Sequence, residues 1–222
     1  MSTVSVILVA GGTGSRMQAA IPKQYLQLSG KPIAQYSFDI LRKQPEVKEV
    51  IVVCDPAYRS LFPGATFAMP GKRRQDSVFN GLQKVSQDSE FICIHDAARP
   101  FIQDVFFKEV LQAAKEYDAA VIGTPVKFTV KEADAEGLVK HTLNRDHIWE
   151  IQTPQMIRAS LLKEGFDYVN RHQLTVTDDV LIVELLGKPV KLVRGDYRNL
   201  KITTPEDLVI AQSILDAGFH ES

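Results

Sequence analysis

Short apolar runs alternate with amphipathic segments along most of this 222-residue chain, and this alternation constrains the fold more than any other feature. The runs are continuous rather than interrupted by polar residues, which is typical of strands that are covered on both faces. Strands separated by helical segments predict an α/β fold with a doubly wound, mostly parallel sheet. The predicted strands are VSVILVA (4–10), EVIVVCD (49–55), EFICIHD (90–96), AAVIGTPV (119–126) and VKLVRG (190–195).

Helical segments lie between these runs, with apolar residues recurring every three or four positions. Thr204 followed by Pro205 and two acids predicts the start of a further helix, because Thr caps helices and Pro fits their first turn. Asp178 and Asp179 precede VLIVELL, and we interpret them as partners of a helix dipole, with a metal site as the alternative. The three predicted helical segments are 32–44, 104–117 and 158–171.

Segment 126–145 breaks this rhythm, because it shows no helical period. We interpret it as two polar-faced strands joined by a turn at Asp134-Ala135-Glu136-Gly137. A hairpin with so little apolar surface must lean on its own domain or on another subunit. The sequence shows no linker, repeat or low-complexity stretch, so we expect residues 1–222 to form a single domain.

Charge and apolar content argue against several classes of protein. The formal net charge is -1, so there is no global basic field to attract nucleic acid or an anionic membrane. No apolar stretch approaches the roughly 20 residues of a membrane span, and the N-terminus lacks the basic region of a signal peptide. Cys54 and Cys93 lie inside apolar runs and are expected to be buried, reduced thiols. We therefore expect a cytoplasmic protein with no membrane or nucleic-acid partner.

The first predicted strand leads into the glycine-rich segment AGGTGSRM (10–17). Glycines allow backbone N–H groups to approach phosphate oxygens closely. A Walker A loop is excluded, because the sixth position from Gly11 is Arg16 and no Lys-Ser or Lys-Thr follows. A dinucleotide-binding loop is disfavoured, because Met17 stands where the third glycine belongs.

A nucleotidyltransferase loop is the remaining functional interpretation of this segment. Three glycines would surround a triphosphate, and two cations would reach over it. A plain strand-to-loop turn with two solvated cations is the alternative, and the loop alone does not decide between them. The residues concerned are Gly11, Gly12, Gly14, Arg16 and Lys23.

His95 and Asp96 end the third predicted strand, at the edge where open α/β sheets bind ligands. Mg²⁺ prefers one or two carboxylates together with phosphate oxygens, so a carboxylate opposite a triphosphate loop is a natural ligand for it. A cap on the following loop is the alternative role for Asp96. His95 is expected to be structural. We therefore predict Mg²⁺ as the cofactor, bound at Asp96.

Six segments form a combined pattern: AGGTGSRM (10–17), PKQY (22–25), RRQDSV (73–78), HDAARP (95–100), NRDHIWEIQTPQ (144–155) and NLKITTPEDL (199–208). This pattern resembles the 2-C-methyl-D-erythritol 4-phosphate cytidylyltransferase family of the non-mevalonate isoprenoid pathway, over nearly the whole chain. The resemblance implies a Rossmann-like homodimer in which a protruding β-hairpin arm, here 126–150, helps to close the other subunit's active site. It also implies Mg²⁺-dependent joining of CTP and 2-C-methyl-D-erythritol 4-phosphate, giving 4-diphosphocytidyl-2-C-methyl-D-erythritol and pyrophosphate.

The resemblance also implies roles for individual residues. Arg16 and Lys23 match the cations that stabilise the transition state on the triphosphate, and Asp96 matches the aspartate near the metal. Thr153 is expected to line the pocket for methylerythritol phosphate. The residues that match those holding this substrate are Thr129, Arg145 and Lys201. The residues that match the nucleotide-binding segments are Ala10, Gly11, Gly12, Gly14, Gly71, Arg74 and Ser77.

The chain departs from the family pattern at one place. The family segment usually opens Gly-Gly, whereas this chain has Pro70-Gly71-Lys72, so no role is carried over to the side chain at position 72. Ribitol 5-phosphate cytidylyltransferase is the closest alternative, and HDAARP together with Trp149 favours the methylerythritol enzyme. A sugar-1-phosphate uridylyl- or thymidylyltransferase and a non-catalytic nucleotide-binding regulator are more distant alternatives.

Overall fold

The computed structural model describes residues 2–12, 17 and 21–218. Its strands are β1 (Val4–Val9), β2 (Gln27–Leu28), β3 (Lys31–Pro32), β4 (Val47–Val53), β5 (Thr66–Ala68), β6 (Phe91–Asp96), β7 (Ala119–Pro125), β8 (Lys131–Ala133), β9 (Val139–Thr142), β10 (Trp149–Arg158) and β11 (Lys191–Arg194). Its α-helices are α1 (Ile33–Leu41), α2 (Arg74–Leu82), α3 (Asp104–Tyr117), α4 (Ala159–Arg171), α5 (Val180–Glu184) and α6 (Pro205–Asp216).

A seven-stranded sheet in the order β11-β7-β10-β6-β1-β4-β5 forms the centre of the protein. The neighbouring pairs are parallel except those of β10, which is antiparallel to both β6 and β7. All five strands predicted from apolar runs are present, so the mostly parallel α/β fold is confirmed. Sequence reasoning missed the other two strands of this sheet: the three-residue β5, and β10, which carries the buried polar residues Gln152, Thr153 and Gln155 among its apolar ones.

Helices cover both faces of the sheet, as expected for a doubly wound fold. The helices α1 and α3 contribute Phe38, Leu41, Phe107 and Val110 to one apolar core. On the opposite face, α2, α4 and α5 pack against a second core that includes Val78, Leu82, Phe166 and Ile182. Successive residues of a strand point to opposite faces. The continuous apolar character of β1 follows, because Leu8 enters the first core and Ile7 the second.

The hairpin predicted within 126–145 is present as β8 and β9, which form a two-stranded sheet of their own. The turn between them is closed by the Gly137 N–H donating to the Asp134 carbonyl, and Gly137 has a φ of 83° that suits glycine. Both strands are exposed, and nearby Phe128 exposes 81% of its surface. None of the helices in the described part of the chain is long and apolar enough to cross a membrane.

Candidate active site

Three strand ends bring the candidate site together at one edge of the sheet. Val9, the last residue of β1, pairs with Val53 at the end of β4 and with Asp96 at the end of β6. The segment that follows β1 therefore begins beside Asp96, and the Ala97 N–H donates to the Val9 carbonyl at 3.0 Å. This is the edge where a parallel sheet leaves room for a ligand.

Two adjoining cavities open at this edge. The glycine-loop cavity, of about 340 Å³, lies between Gly11–Gly12 and the segment 71–77. The Thr153 cavity, of about 430 Å³, lies between β10 and the residues around α5. Three side chains line both cavities and mark the boundary between them: Arg74, Asp96 and Lys201.

The start of the glycine loop is held close to the segment at 70–71. A Cβ atom on Gly11 would lie 2.5 Å from Cβ of Pro70, so only glycine fits there, whereas a Cβ on Gly12 would meet open space. Pro70, the departure from the family pattern, therefore packs directly against the loop. The predicted loop residues Gly14 and Arg16 lie outside the described residues.

Residues 71–77 form the opposite wall of the glycine-loop cavity. The Gly71 N–H donates to Oγ of Ser77 at 2.9 Å, and the Ser77 hydroxyl lies 3.3 Å from the Arg73 carbonyl. A Cβ on Gly71 would overlap Asp76. In this conformation Gly71 and Ser77 bind each other, and together they shape the turn that leads into α2.

Lys23 begins a single 3₁₀ turn, Lys23–Tyr25, and is buried although it is a lysine. Its Nζ lies 3.4 Å from Oγ1 of Thr203, and both residues line the glycine-loop cavity. A lysine is rarely buried without a partner. The predicted cation Lys23 therefore lines the same cavity as the first glycines of the loop.

Asp96 lies among three cations. Its Oδ1 accepts from Nε of Arg74 at 3.0 Å, its Oδ2 lies 2.8 Å from Nζ of Lys201, and Nε of Arg99 is 4.0 Å away. Burial alone would raise the pKa of this carboxyl group, but the three cations outweigh burial and hold the pKa of Asp96 well below its usual range. Asp96 is therefore a carboxylate at the junction of the two cavities.

Arg74 bridges two acids. While its Nε binds Asp96, its Nη2 lies 2.7 Å from Oδ2 of Asp179, which exposes only 1% of its surface. Burial raises the pKa of Asp179, and the nearby Arg74 opposes that shift. The helix-dipole interpretation holds for Asp178, whose Oδ1 accepts from the Leu181 N–H at 3.3 Å. Asp179 stands at the N-cap of α5 but makes no capping hydrogen bond with its side chain, which binds Arg74.

Thr153 and His95 fix the backbone of the strand end. Nε2 of His95 donates to the Arg99 carbonyl at 3.1 Å, so its Nδ1 accepts from the Thr153 hydroxyl at 3.0 Å. The Thr153 oxygen in turn accepts from the Asp96 N–H at 3.1 Å. Burial lowers the pKa of His95 to about 4, in keeping with a neutral imidazole in this chain of bonds. His95 is structural, as expected, and Thr153 lines its cavity while it supports Asp96.

The remaining predicted residues fall into two groups. Lys201 lies at the junction of the cavities, on a segment tied to the strand end by the Ile202 N–H, which donates to the Ala98 carbonyl at 2.9 Å. Thr129 and Arg145 lie near the ends of the exposed hairpin and line neither cavity, and Nη1 of Arg145 donates to the Lys127 carbonyl at 3.1 Å. The structure of one chain therefore does not bring these two residues to Lys201.

Sequence reasoning missed Arg99 and Asp179 as members of the site. Arg99 is nearly buried, and its Nη1 donates to the Asn199 carbonyl at 2.8 Å. The signal for Arg99 was its position within HDAARP, three residues after an assigned acid. Asp179 had no such signal, because its partner Arg74 lies 105 positions away in the sequence.

Cationic side chains predominate in the glycine-loop cavity. In the described wall of the glycine-loop cavity, one carboxylate, Asp96, faces five cationic side chains: Lys23, Lys72, Arg73, Arg74 and Lys201. Such a cavity suits a polyanion, and Gly11 and Gly12 at the start of the glycine loop also line it. An α/β fold with this loop, this charge and a second adjoining cavity defines a protein of the nucleotidyltransferase class.

The sequence profile of one family within that class, 2-C-methyl-D-erythritol 4-phosphate cytidylyltransferase, matches residues 4–217. The chain belongs to this family. It is 50% identical to the chloroplastic enzyme of that name from Oryza sativa subsp. japonica, with 96% of this chain and 75% of the relative covered. It is 44% identical to the Chlamydia pneumoniae enzyme of that name, with 95% and 98% covered.

Solved structures support the same assignment. The structure described as 4-diphosphocytidyl-2C-methyl-D-erythritol synthase from Anaerococcus prevotii is similar with a TM-score of 0.86 at 28% identity, covering 97% of this chain and 99% of that one. The 2-C-methyl-D-erythritol 4-phosphate cytidylyltransferase from Thermus thermophilus is similar with a TM-score of 0.82 at 33% identity, covering 97% and 100%.

Proposed function

We propose that this chain joins CTP and 2-C-methyl-D-erythritol 4-phosphate to give 4-diphosphocytidyl-2-C-methyl-D-erythritol and pyrophosphate, a step of isoprenoid precursor synthesis by the non-mevalonate pathway. Family membership over residues 4–217 supports this proposal. The observation that carries it is the pair of adjoining cavities, which share Arg74, Asp96 and Lys201. Two anionic substrates can then meet at a boundary where two cations, Arg74 and Lys201, stand beside the carboxylate of Asp96.

The reaction requires the repulsion between two anions to be overcome. A phosphate oxygen of the methylerythritol substrate attacks the α-phosphorus of CTP, and pyrophosphate leaves from the opposite side. Charge builds on the five-coordinate phosphorus and on the leaving oxygen, where fixed cations stabilise it. In our proposal Lys23, which lines the glycine-loop cavity, and Arg16 supply these cations. No general base is needed, because the attacking phosphate is already ionised near neutral pH.

Lys201 would orient the attacking phosphate, since it stands at the junction of the cavities as a point charge. Thr129 and Arg145 would complete the grip on that phosphate from the arm. Because they lie on an exposed hairpin away from the cavities, we propose that they act on the site of a second subunit in a homodimer. Arginine suits the bidentate contact that a phosphate offers.

Mg²⁺ is the cofactor of the proposed reaction, and Asp96 is the residue that would hold it. No group of three or more His, Cys, Asp or Glu side chains in the described part of the chain could hold a metal ion. An ionised Asp96 beside a cavity for phosphates nevertheless fits Mg²⁺, which is commonly bound by one carboxylate together with substrate phosphates and water. Bound there, the cation would neutralise phosphate charge.

Pyrophosphate release by the purified chain with Mg²⁺ tests the proposal. We would combine CTP, UTP or ATP with methylerythritol 4-phosphate or ribitol 5-phosphate. Turnover with CTP and methylerythritol 4-phosphate alone is the expected result. Turnover with ribitol 5-phosphate instead would overturn the assigned substrate. The family comparisons do not favour this ribitol alternative. CTP binding without turnover of any pair would indicate the non-catalytic regulator.

The cellular compartment is a separate part of the proposal. We keep the cytoplasmic location as a prediction, tested by cell fractionation with an antibody to the chain. The relative from Oryza sativa is named as chloroplastic, so recovery in an organelle fraction is the result that would contradict it.

A further inference from the structure

Gln24 is a buried polar residue that the mechanism above does not use. It lies between Lys23 and Tyr25 in the 3₁₀ turn and exposes only 3% of its surface. Its Nε2 donates to the Ala10 carbonyl at 2.7 Å and to the Gly12 carbonyl at 2.8 Å. The two hydrogens of one side-chain amide therefore bind two carbonyl groups of the glycine loop.

Tyr25 adds a third bond to the same loop. Its hydroxyl donates to the Ala10 carbonyl at 2.7 Å, while its ring stacks on Tyr58 with a centroid distance of 3.6 Å. The Ala10 carbonyl thus accepts from two side chains of the PKQY segment. Both groups remain neutral hydrogen-bond donors, because the Gln24 amide does not ionise and burial raises the pKa of Tyr25 above its usual range.

Carbonyl oxygens are the wrong groups to offer to a triphosphate. They carry partial negative charge and repel an anion, whereas backbone N–H groups attract it. A Cβ atom on Gly12 would meet open space, so no packed neighbour at that position restrains the backbone of this flexible residue. A loop that bound phosphate through its N–H groups would gain from partners that hold its carbonyl oxygens in one orientation.

We propose that Gln24 is a positioning residue for the triphosphate: it binds the carbonyl oxygens of Ala10 and Gly12 and so fixes the start of the glycine loop in the orientation that receives phosphates. Because Gln24 directly follows Lys23, the same two bonds join the 3₁₀ turn that carries this lysine to the loop. Gln24 acts through the loop and Lys23 rather than on the substrate. This inference rests on the proposed function for the identity of the nucleotide, but not for the presence of a polyphosphate.

The test compares Gln24→Met with Gln44→Met. Met has nearly the shape of Gln but no N–H donors. Gln44 is an equally buried glutamine at the far end of the sheet, where its Nε2 donates to the Ile40 carbonyl and to Asp104. Calorimetry would measure the Kd for CTP, CMP and inorganic tripolyphosphate, and thermal unfolding would report on the fold.

We expect Gln24→Met to raise the Kd for CTP and for tripolyphosphate about tenfold, which corresponds to about 1.4 kcal/mol. The Kd for CMP should rise less than twofold. Gln44→Met should leave all three Kd values unchanged. Tyr25→Phe keeps the ring and removes one donor, so it should weaken CTP about threefold even if Gln24→Met folds poorly. If Gln24 only stabilised the fold, its substitution would leave the Kd values for CTP and CMP unchanged, as in Gln44→Met, or would change both equally.

Two outcomes would overturn the inference: an unchanged Kd for CTP in both loop variants, or equal losses for CTP and CMP. Failure of the proposed function has a different signature. In that case the unsubstituted chain would not bind CTP, while its affinity for tripolyphosphate and the loss in Gln24→Met would remain. Failure of the unsubstituted chain to bind tripolyphosphate would overturn the inference itself.

Discussion

At the scale of single residues, the site is a set of charges that the fold holds close together, around the buried carboxylates of Asp96 and Asp179. Asp96 remains ionised among three cations, and Arg74 is shared between Asp96 and the more deeply buried Asp179. Charges in such surroundings interact more strongly than they would in water. A substitution here therefore affects either the reaction or the stability of the fold, depending on which charged group loses its partner. Two predictions separate these effects.

Lys23→Ala should lower kcat for the proposed reaction by a hundredfold or more, on the order of 3 kcal/mol, because it removes a fixed cation from the developing charge. The measurement is steady-state pyrophosphate release at saturating concentrations of both substrates. Lys108→Ala, on the exposed face of α3, is the matched control and should keep full activity. A kcat near that of the unsubstituted chain would remove Lys23 from the mechanism.

Asp179→Asn should destabilise the fold by about 3 kcal/mol, because it breaks a buried ion pair and leaves Arg74 with only one of its two carboxylate partners. Urea unfolding followed by circular dichroism measures the free energy of unfolding. Asp118→Asn is the control, since Asp118 forms a largely exposed pair with Arg158 and should cost less than about 1 kcal/mol. Equal costs for the two variants would contradict the importance we give to the buried pair.

The sequence predicted site residues where local pattern carries the signal. Asp96 follows from its position at the end of an apolar strand, and Lys23 follows from its spacing after the glycines. Asp179 and Gln24 could not be predicted in the same way. Each acts through a partner that only the fold brings near, and a polar residue before or inside a helical turn has several ordinary explanations.

At the scale of elements, pattern predicted the apolar strands and the amphipathic helices but missed β10 and α2. The strand β10 buries amides and hydroxyls that bind neighbouring segments, as when Gln155 accepts from the N–H groups of Asp179 and Val180. The helix α2 (Arg74–Leu82) begins with polar residues that face the site. In both elements, groups needed by the site replace the apolar residues by which secondary structure is recognised.

The hairpin of β8 and β9 is the element with the least support from the rest of the described chain. Replacing residues 131–142 by a short Gly-Ser linker should therefore change the free energy of unfolding by less than about 1 kcal/mol, since these residues are exposed and form a separate sheet. Activity should fall sharply, because the linker no longer holds Thr129 and Arg145 in position. Urea unfolding and pyrophosphate release measure the two effects. A large loss of stability would show that the hairpin supports the core.

At the scale of the whole molecule, one continuous sheet joins the two cavities. The glycine loop follows β1, Asp96 ends β6, and β10 pairs with β6, so the site depends on the register of distant segments. The prediction that 1–222 forms a single domain then has a direct consequence. Urea unfolding monitored by Trp149 fluorescence and by circular dichroism should give coincident, single transitions. Two separated transitions would contradict it.

The last prediction follows from the proposed homodimer, in which the arm of one subunit would act on the site of the other. Arg145→Ala damages the arm, and Lys23→Ala damages the glycine-loop cavity. Co-refolding equal amounts of these two inactive variants should restore about a quarter of the unsubstituted activity: half the dimers are mixed, and one of their two sites joins an intact arm to an intact cavity.

Lys23→Ala co-refolded with Lys201→Ala is the matched control for this experiment. Both substitutions lie at the cavities of the same chain, so every site in their mixed dimers keeps a damaged cavity and activity should stay low. Sedimentation velocity on the mixtures confirms that dimers have formed. Recovery in the first mixture but not in the second requires an arm that reaches the other subunit's site. The absence of recovery from mixtures that do contain dimers would place each arm on the site of its own chain and overturn the proposed role of the partner.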